Sequence, residues 1–130
     1  MTRRSLLLAV ILAACRPSAP LNLFPETVAG VWQRRAVREL LVSDAPDPVP
    51  RTSVRRLEAA SYEGAGKLDA RAYELTASAV ALDLAQRWQP SADTVFFYRG
   101  RYFVVVKWDQ AERQALQEFI REVEARLPRE

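Results

Sequence analysis

The chain has 130 residues, of which 49% are hydrophobic and 27% charged, enough for one small domain and too apolar for a charge-swollen disordered chain. It has no histidine and a single cysteine, which excludes Ser-His and Cys-His catalytic pairs, most metal centres and any intramolecular disulfide. The formal charge of +3 invites a nucleic-acid reading, but Arg3 and Arg4 supply two of those charges, and from Cys15 onward 17 cations face 16 anions. That balance lacks the sustained excess needed to neutralise phosphates, so no nucleic acid is expected as a partner.

Residues 1–14 read as an export signal. Arg3 and Arg4 form a short cationic start, and Leu6 to Ala14 is an unbroken apolar run of nine residues. As a helix it rises about 13 Å, less than half of a hydrocarbon core of about 30 Å, so it does not span. The run ends at Leu12-Ala13-Ala14-Cys15, which resembles the lipobox of bacterial lipoprotein precursors. The resemblance implies a diacylglycerol on Cys15, a mature chain beginning there, and the membrane as a partner through that lipid. Arg16 follows the cysteine where an aspartate would favour the inner membrane, so the outer membrane, facing the periplasm, is expected. Thr2-Arg3-Arg4-Ser5-Leu6-Leu7 also resembles a twin-arginine signal, which leaves the export route open.

Residues 15–25 are expected to be the lipidated cysteine and a proline-containing tether, and residues 26–130 a single α+β domain. Between Glu26 and Leu41 the pattern is ambiguous. Val28, Trp32, Ala36 and Leu40 repeat as on a helix. Trp32, Arg34, Ala36, Arg38 and Leu40 share one face of a strand, with cations among them. Residues 43–51 hold three prolines and read as a loop.

Val54 to Tyr62 and Leu68 to Leu75 flank a turn with Gly64 and Gly66, which predicts a hairpin. Thr76 or Ser78 is placed to cap a helix carrying Val80, Ala81, Leu84, Ala85 and Trp88 on one stripe, ended by Pro90. Residues 94–98 and 102–108 flank Arg99-Gly100-Arg101 as a second hairpin. They are β-branched and aromatic on both faces, as central strands are. Asp109 and Glu112 stand at capping-box spacing before a second helix, with Leu116, Phe119, Ile120, Val123 and Leu127 on one face.

The order is therefore hairpin, helix, hairpin, helix. The expectation is an antiparallel sheet of four to five strands with two helices on one face. The layout resembles an uncharacterised family of exported bacterial domains. The shared features are Leu23-Phe24-Pro25 leading to Gly30-Val31-Trp32, the Tyr62-Glu63-Gly64 turn, the Leu68–Leu75 strand and the Arg99–Tyr102 hairpin. Val31 separates the glycine and tryptophan, which departs from that pattern. The resemblance implies a fold and no activity.

Three groups of residues offer chemistry. Arg34, Arg35, Arg38, Arg51, Arg55 and Arg56 cluster in sequence. If residues 31–41 lie beside 54–62, they form an anion-binding patch, with Arg34, Arg35, Arg38, Arg55 and Arg56 as its members, unless they are a solvated face. Trp32, Trp88, Trp108, Tyr73, Tyr98 and Tyr102 would line a saccharide or apolar-ligand site, or simply pack the core. Glu63, Asp69 and Glu74 flank one hairpin without a spacing that suits paired-carboxylate hydrolysis. No catalytic set and no cofactor is expected. The favoured function is a non-enzymatic, membrane-anchored envelope lipoprotein that binds an envelope protein. The alternative is a small-molecule or lipid-binding module with a pocket between sheet and helices.

Overall fold

The computed structural model describes residues 21–129. The segment read as an export signal, Cys15 and most of the expected tether lie outside them. The chain forms β1 (Thr27–Val28), β2 (Trp32–Leu40), β3 (Val54–Glu63), β4 (Gly66–Leu75), α1 (Ser78–Arg87), β5 (Thr94–Arg99), β6 (Tyr102–Ala111) and α2 (Arg113–Arg126). All strands pair antiparallel in one curled sheet of order β1-β2-β3-β4-β6-β5.

The α+β class and the antiparallel sheet agree with the sequence reading, but the sheet has six strands, not four to five. Beyond the four hairpin strands stand β2, in the segment that read equally as helix or strand, and the short β1 before it. A bulge resolves the pattern there. The register against β3 shifts between Arg34 and Ala36. Trp32 and Arg34 therefore point to one face, while Ala36, Arg38 and Leu40 point to the other. The cations that spoiled a one-faced strand are divided between two faces.

The helices do not share a face. Side chains alternate along a strand, and the core alternates with them. Leu68, Ala70, Ala72, Val104 and Val106 join Trp32, Tyr62 and the α2 residues Ala115, Phe119 and Val123 in one core. Tyr73, Leu75, Phe103 and Leu57 join the α1 residues Ala81 and Leu84 in another. β4 and β6 are apolar on both sides, so each face takes a helix. α2 lies in the concave side and touches both the first and the last strand. α1 lies on the convex side against β5, β4 and β6.

β6 is central and buried, as expected, whereas β5 is an edge strand. The helix starts also differ from expectation. β6 runs through Asp109 to Ala111, and Glu112 itself caps α2, accepting from the Gln114 and Ala115 amides at 3.2 and 2.7 Å. Ala77 occupies the first cap, where no side chain accepts.

The β3–β4 turn depends on its glycines. Gly64 has φ +147° and a β-carbon there would collide with the Val31 carbonyl oxygen. Gly66 has φ +131° and faces the Gln110 carbonyl oxygen in the same way. This closeness lets the turn nest between β1–β2 on one side and the end of β6 on the other.

Residues 21–25, expected as the end of the tether, pack into the domain. Leu23 and Phe24 are buried in the concave core. Arg34 donates to the Phe24 carbonyl at 2.7 Å, and the Tyr62 hydroxyl donates to that of Pro25 at 2.6 Å. The Leu21 amide lies near the Glu58 carboxylate and favours its charged form. Burial holds both the Tyr62 hydroxyl and the Glu58 carboxyl above their ordinary pKa ranges.

Candidate functional site

The arginines clustered in sequence do not form one patch. Arg34 is on the concave face, tied to the Phe24 carbonyl and 3.9 Å from Glu26. Arg56 is also concave. It pairs with Glu74 at 3.2 Å, and Arg101 reaches the other oxygen of the same carboxylate at 3.4 Å. Glu74 is buried, so these guanidiniums serve the fold. Arg35 sits at the bulge, 3.7 Å from Glu63. Arg51 donates to the Ala45 carbonyl at 2.7 Å and secures the loop. Arg55 is exposed at a second register shift, between Val54 and Arg56. Only Arg38, of the predicted set, reaches the open groove described next.

That groove occupies the part of the convex sheet face that α1 leaves bare. Its volume is about 970 Å³. Cross-strand register puts Arg38, Ala59, Arg71 and Val105 in one row of the floor. Ala36, Ser61, Asp69, Lys107 and Thr94 form the next. Pro46 and Asp47 form one wall, while Trp88 and Ser91 form the other. The 41–53 loop is fastened beneath by Ala45 and Val49, both buried in the convex core.

Arg71 and Lys107 were missed by the sequence reading. They are isolated among apolar residues on β4 and β6 and belong to no charge run. Aligning the two hairpins in register was the signal that joined them to Arg38. Tyr73, two residues from Arg71 on the same face, is buried beneath them. Burial raises the Tyr73 pKa, and the neighbouring Arg71 charge opposes that rise.

The aromatic residues do not converge on a site. Trp32 is fully buried, its indole N–H donates to the Ala115 carbonyl at 2.9 Å, and its ring meets Phe119 edge-on at 6.0 Å. Trp88 is engaged with Phe96 and Phe103 at ring distances of 6.0 and 5.3 Å. Trp108 and Tyr102 pack in the concave core, and Tyr98 is exposed on the edge strand. The three hairpin carboxylates are likewise apart. Glu63 pairs with Arg35, Glu74 is clamped on the concave face, and Asp69 lies in the convex groove. Among the described residues no group of acidic or cysteine side chains is placed to hold a metal, and no helix is long and apolar enough to cross a membrane.

Comparison of the chain with family models, with curated proteins and with solved structures finds no match.

Proposed function

We propose that the chain is a membrane-anchored cell-envelope lipoprotein, lipidated on Cys15, whose domain is a non-enzymatic module binding another envelope protein at the convex groove. The observation that carries this reading is the groove itself. It is broad and open, and its polar groups stand in rows set by the strands rather than around one reacting point. The cores beneath it are filled, with Trp32, Tyr62, Phe119, Leu84 and Phe103 fully buried. The lipobox resemblance at Leu12–Cys15 and the missing aspartate after it support an outer-membrane anchor facing the periplasm.

A second reading is small-molecule binding, favoured by a groove volume of about 970 Å³, within the range of ligand sites. That site would lie outside the helices, not between them and the sheet.

Two measurements test the proposal. The N-terminal peptide of the purified protein should begin at Cys15 and carry the mass of acyl chains, and Cys15→Ser should release the protein from membranes. Unmodified Cys15 in a soluble fraction would remove the anchor. A photo-crosslinking residue at Thr94, on the groove, should capture one discrete protein in cells, and the same residue at exposed Gln117 on α2 should not. Equal capture from both positions would remove the groove as the interaction surface.

A further inference from the structure

The chemical class of the groove's ligand follows from which of its groups are already engaged and which are not. Arg38 and Arg71 stand two strands apart in one row, with Ala59 between them. Strands lie about 4.8 Å apart, so these two residues flank β3 at about 10 Å. In the next row β3 offers Ser61. Ala59 thus leaves a low point on β3 between two long cationic side chains, and Lys107 in the neighbouring row carries the positive charge on to β6.

These cations are available. Among the described residues, neither Arg38 nor Lys107 has a carboxylate within 4.0 Å. The same holds for Arg71, whose nearest polar neighbour on the same face, the buried Tyr73 hydroxyl, is uncharged. Two anions also line the site, Asp69 on the floor and Asp47 on the wall. They would repel a continuous phosphate chain. A saccharide is disfavoured for a different reason, because the Trp88 ring is engaged by Phe96 and Phe103 and Tyr73 is buried.

An extended polypeptide meets both requirements. Its carboxylate side chains suit the three cations, and its backbone N–H groups suit Asp69 and Ser61. The two rows of the floor cross five strands, from β2 to β5, about 19 Å in all, which matches the reach of an extended chain lying across them. We infer that the groove binds an extended acidic segment of a partner protein, its carboxylates engaged by Arg38, Arg71 and Lys107. This rests on the groove being the protein-binding surface proposed above.

The test uses the full-length protein in neutral detergent, titrated with a fluorescent Glu-Ser repeat peptide and with its Gln-Ser counterpart. The Glu-Ser peptide should bind at least about tenfold more tightly, with the preference shrinking as salt is raised. Combining Arg38→Gln, Arg71→Gln and Lys107→Gln should weaken Glu-Ser binding by about tenfold or more at an unchanged thermal midpoint. Arg55→Gln, exposed but outside the groove, should change it less than about twofold.

Equal affinity for the two peptides, or a triple variant that binds as well as wild type, overturns the inference. So does displacement of the peptide by inorganic pyrophosphate at equal concentration, which would mark a small-anion site. If the peptide fails while Thr94 still captures a protein in cells, only the acidic class is lost. If both fail, the interaction surface is lost with it.

Discussion

The two faces of the sheet are covered to different extents, and the difference explains where polar residues begin. On the concave side a helix of 14 residues and the 21–25 segment fill the curl, joining the two edge strands. On the convex side a helix of 10 residues and the 41–53 loop cover one end. At about 1.5 Å per residue the helices are about 21 and 15 Å long. β6 records the shortfall residue by residue. Val104 and Val106 are buried towards α2, whereas the opposite face runs from buried Phe103 through half-buried Val105 to exposed Lys107. One strand thus provides core on one side and a groove floor on the other. The length of the covering helix sets the boundary.

Breaking the concave side should have the largest effect. Phe119 is fully buried and lies edge-on to Trp32 and Tyr62, at 6.0 and 5.0 Å. Phe119→Ala should cost about 3–5 kcal/mol, measured as a drop in urea midpoint. An unchanged midpoint would mean that α2 is not the keystone of this face. The matching change on the convex side is Leu84→Ala in α1. Its expected cost is smaller, about 2–3 kcal/mol, because the shorter helix leaves more room for relaxation. A larger loss than at Phe119 would invert the ranking of the two faces.

The concave side should also be the pH-sensitive one. Burial raises the Glu58 pKa, and neighbouring Glu39 adds to it, against the opposing charges of Arg56 and Arg34 and the Leu21 amide. The folded state then holds this proton more tightly than the unfolded chain. Glu58 therefore favours folding most in acid, and that contribution is lost as pH rises through the ordinary glutamate range and on to the raised value. Glu58→Gln should gain stability relative to wild type on passing from acid to neutral pH. A relative loss over that interval would show that the Leu21 contact outweighs burial. The smallest effect is expected in the groove. Arg38→Gln and Lys107→Gln should each shift stability by no more than about 0.5 kcal/mol. A larger loss in thermal denaturation would make these cations structural and return the convex face to ordinary surface.

Both helices were legible because their periods are clean, and both hairpins because glycine turns separate runs rich in strand-forming residues. The 54–75 and 94–111 strands flank glycine turns, and the helical stripes at Leu84 and Phe119 are the ones that pack. β2 was not, because its bulge at Arg35 swaps the parity of every residue that follows, which no fixed period detects. The placement of the helices followed from counting one apolar face where β4 and β6 have two. The groove was legible only in part. Arg38 was found as a member of a charge run, but its companions Arg71 and Lys107 come from distant strands and are joined to it by register alone.

The path of the chain into the domain carries a consequence for orientation. Leu21 lies near Glu58 and the Phe24 carbonyl is bound by Arg34, both on the concave side, while the groove opens on the convex side. From Cys15 to Leu21 is six residue steps, at most about 20 Å even fully stretched. With Cys15 anchored as proposed, so short a leash would hold the concave side towards the bilayer and turn the groove outwards. A binding partner would then approach from the aqueous space or from the structure opposite, and not along the membrane in which the lipid sits.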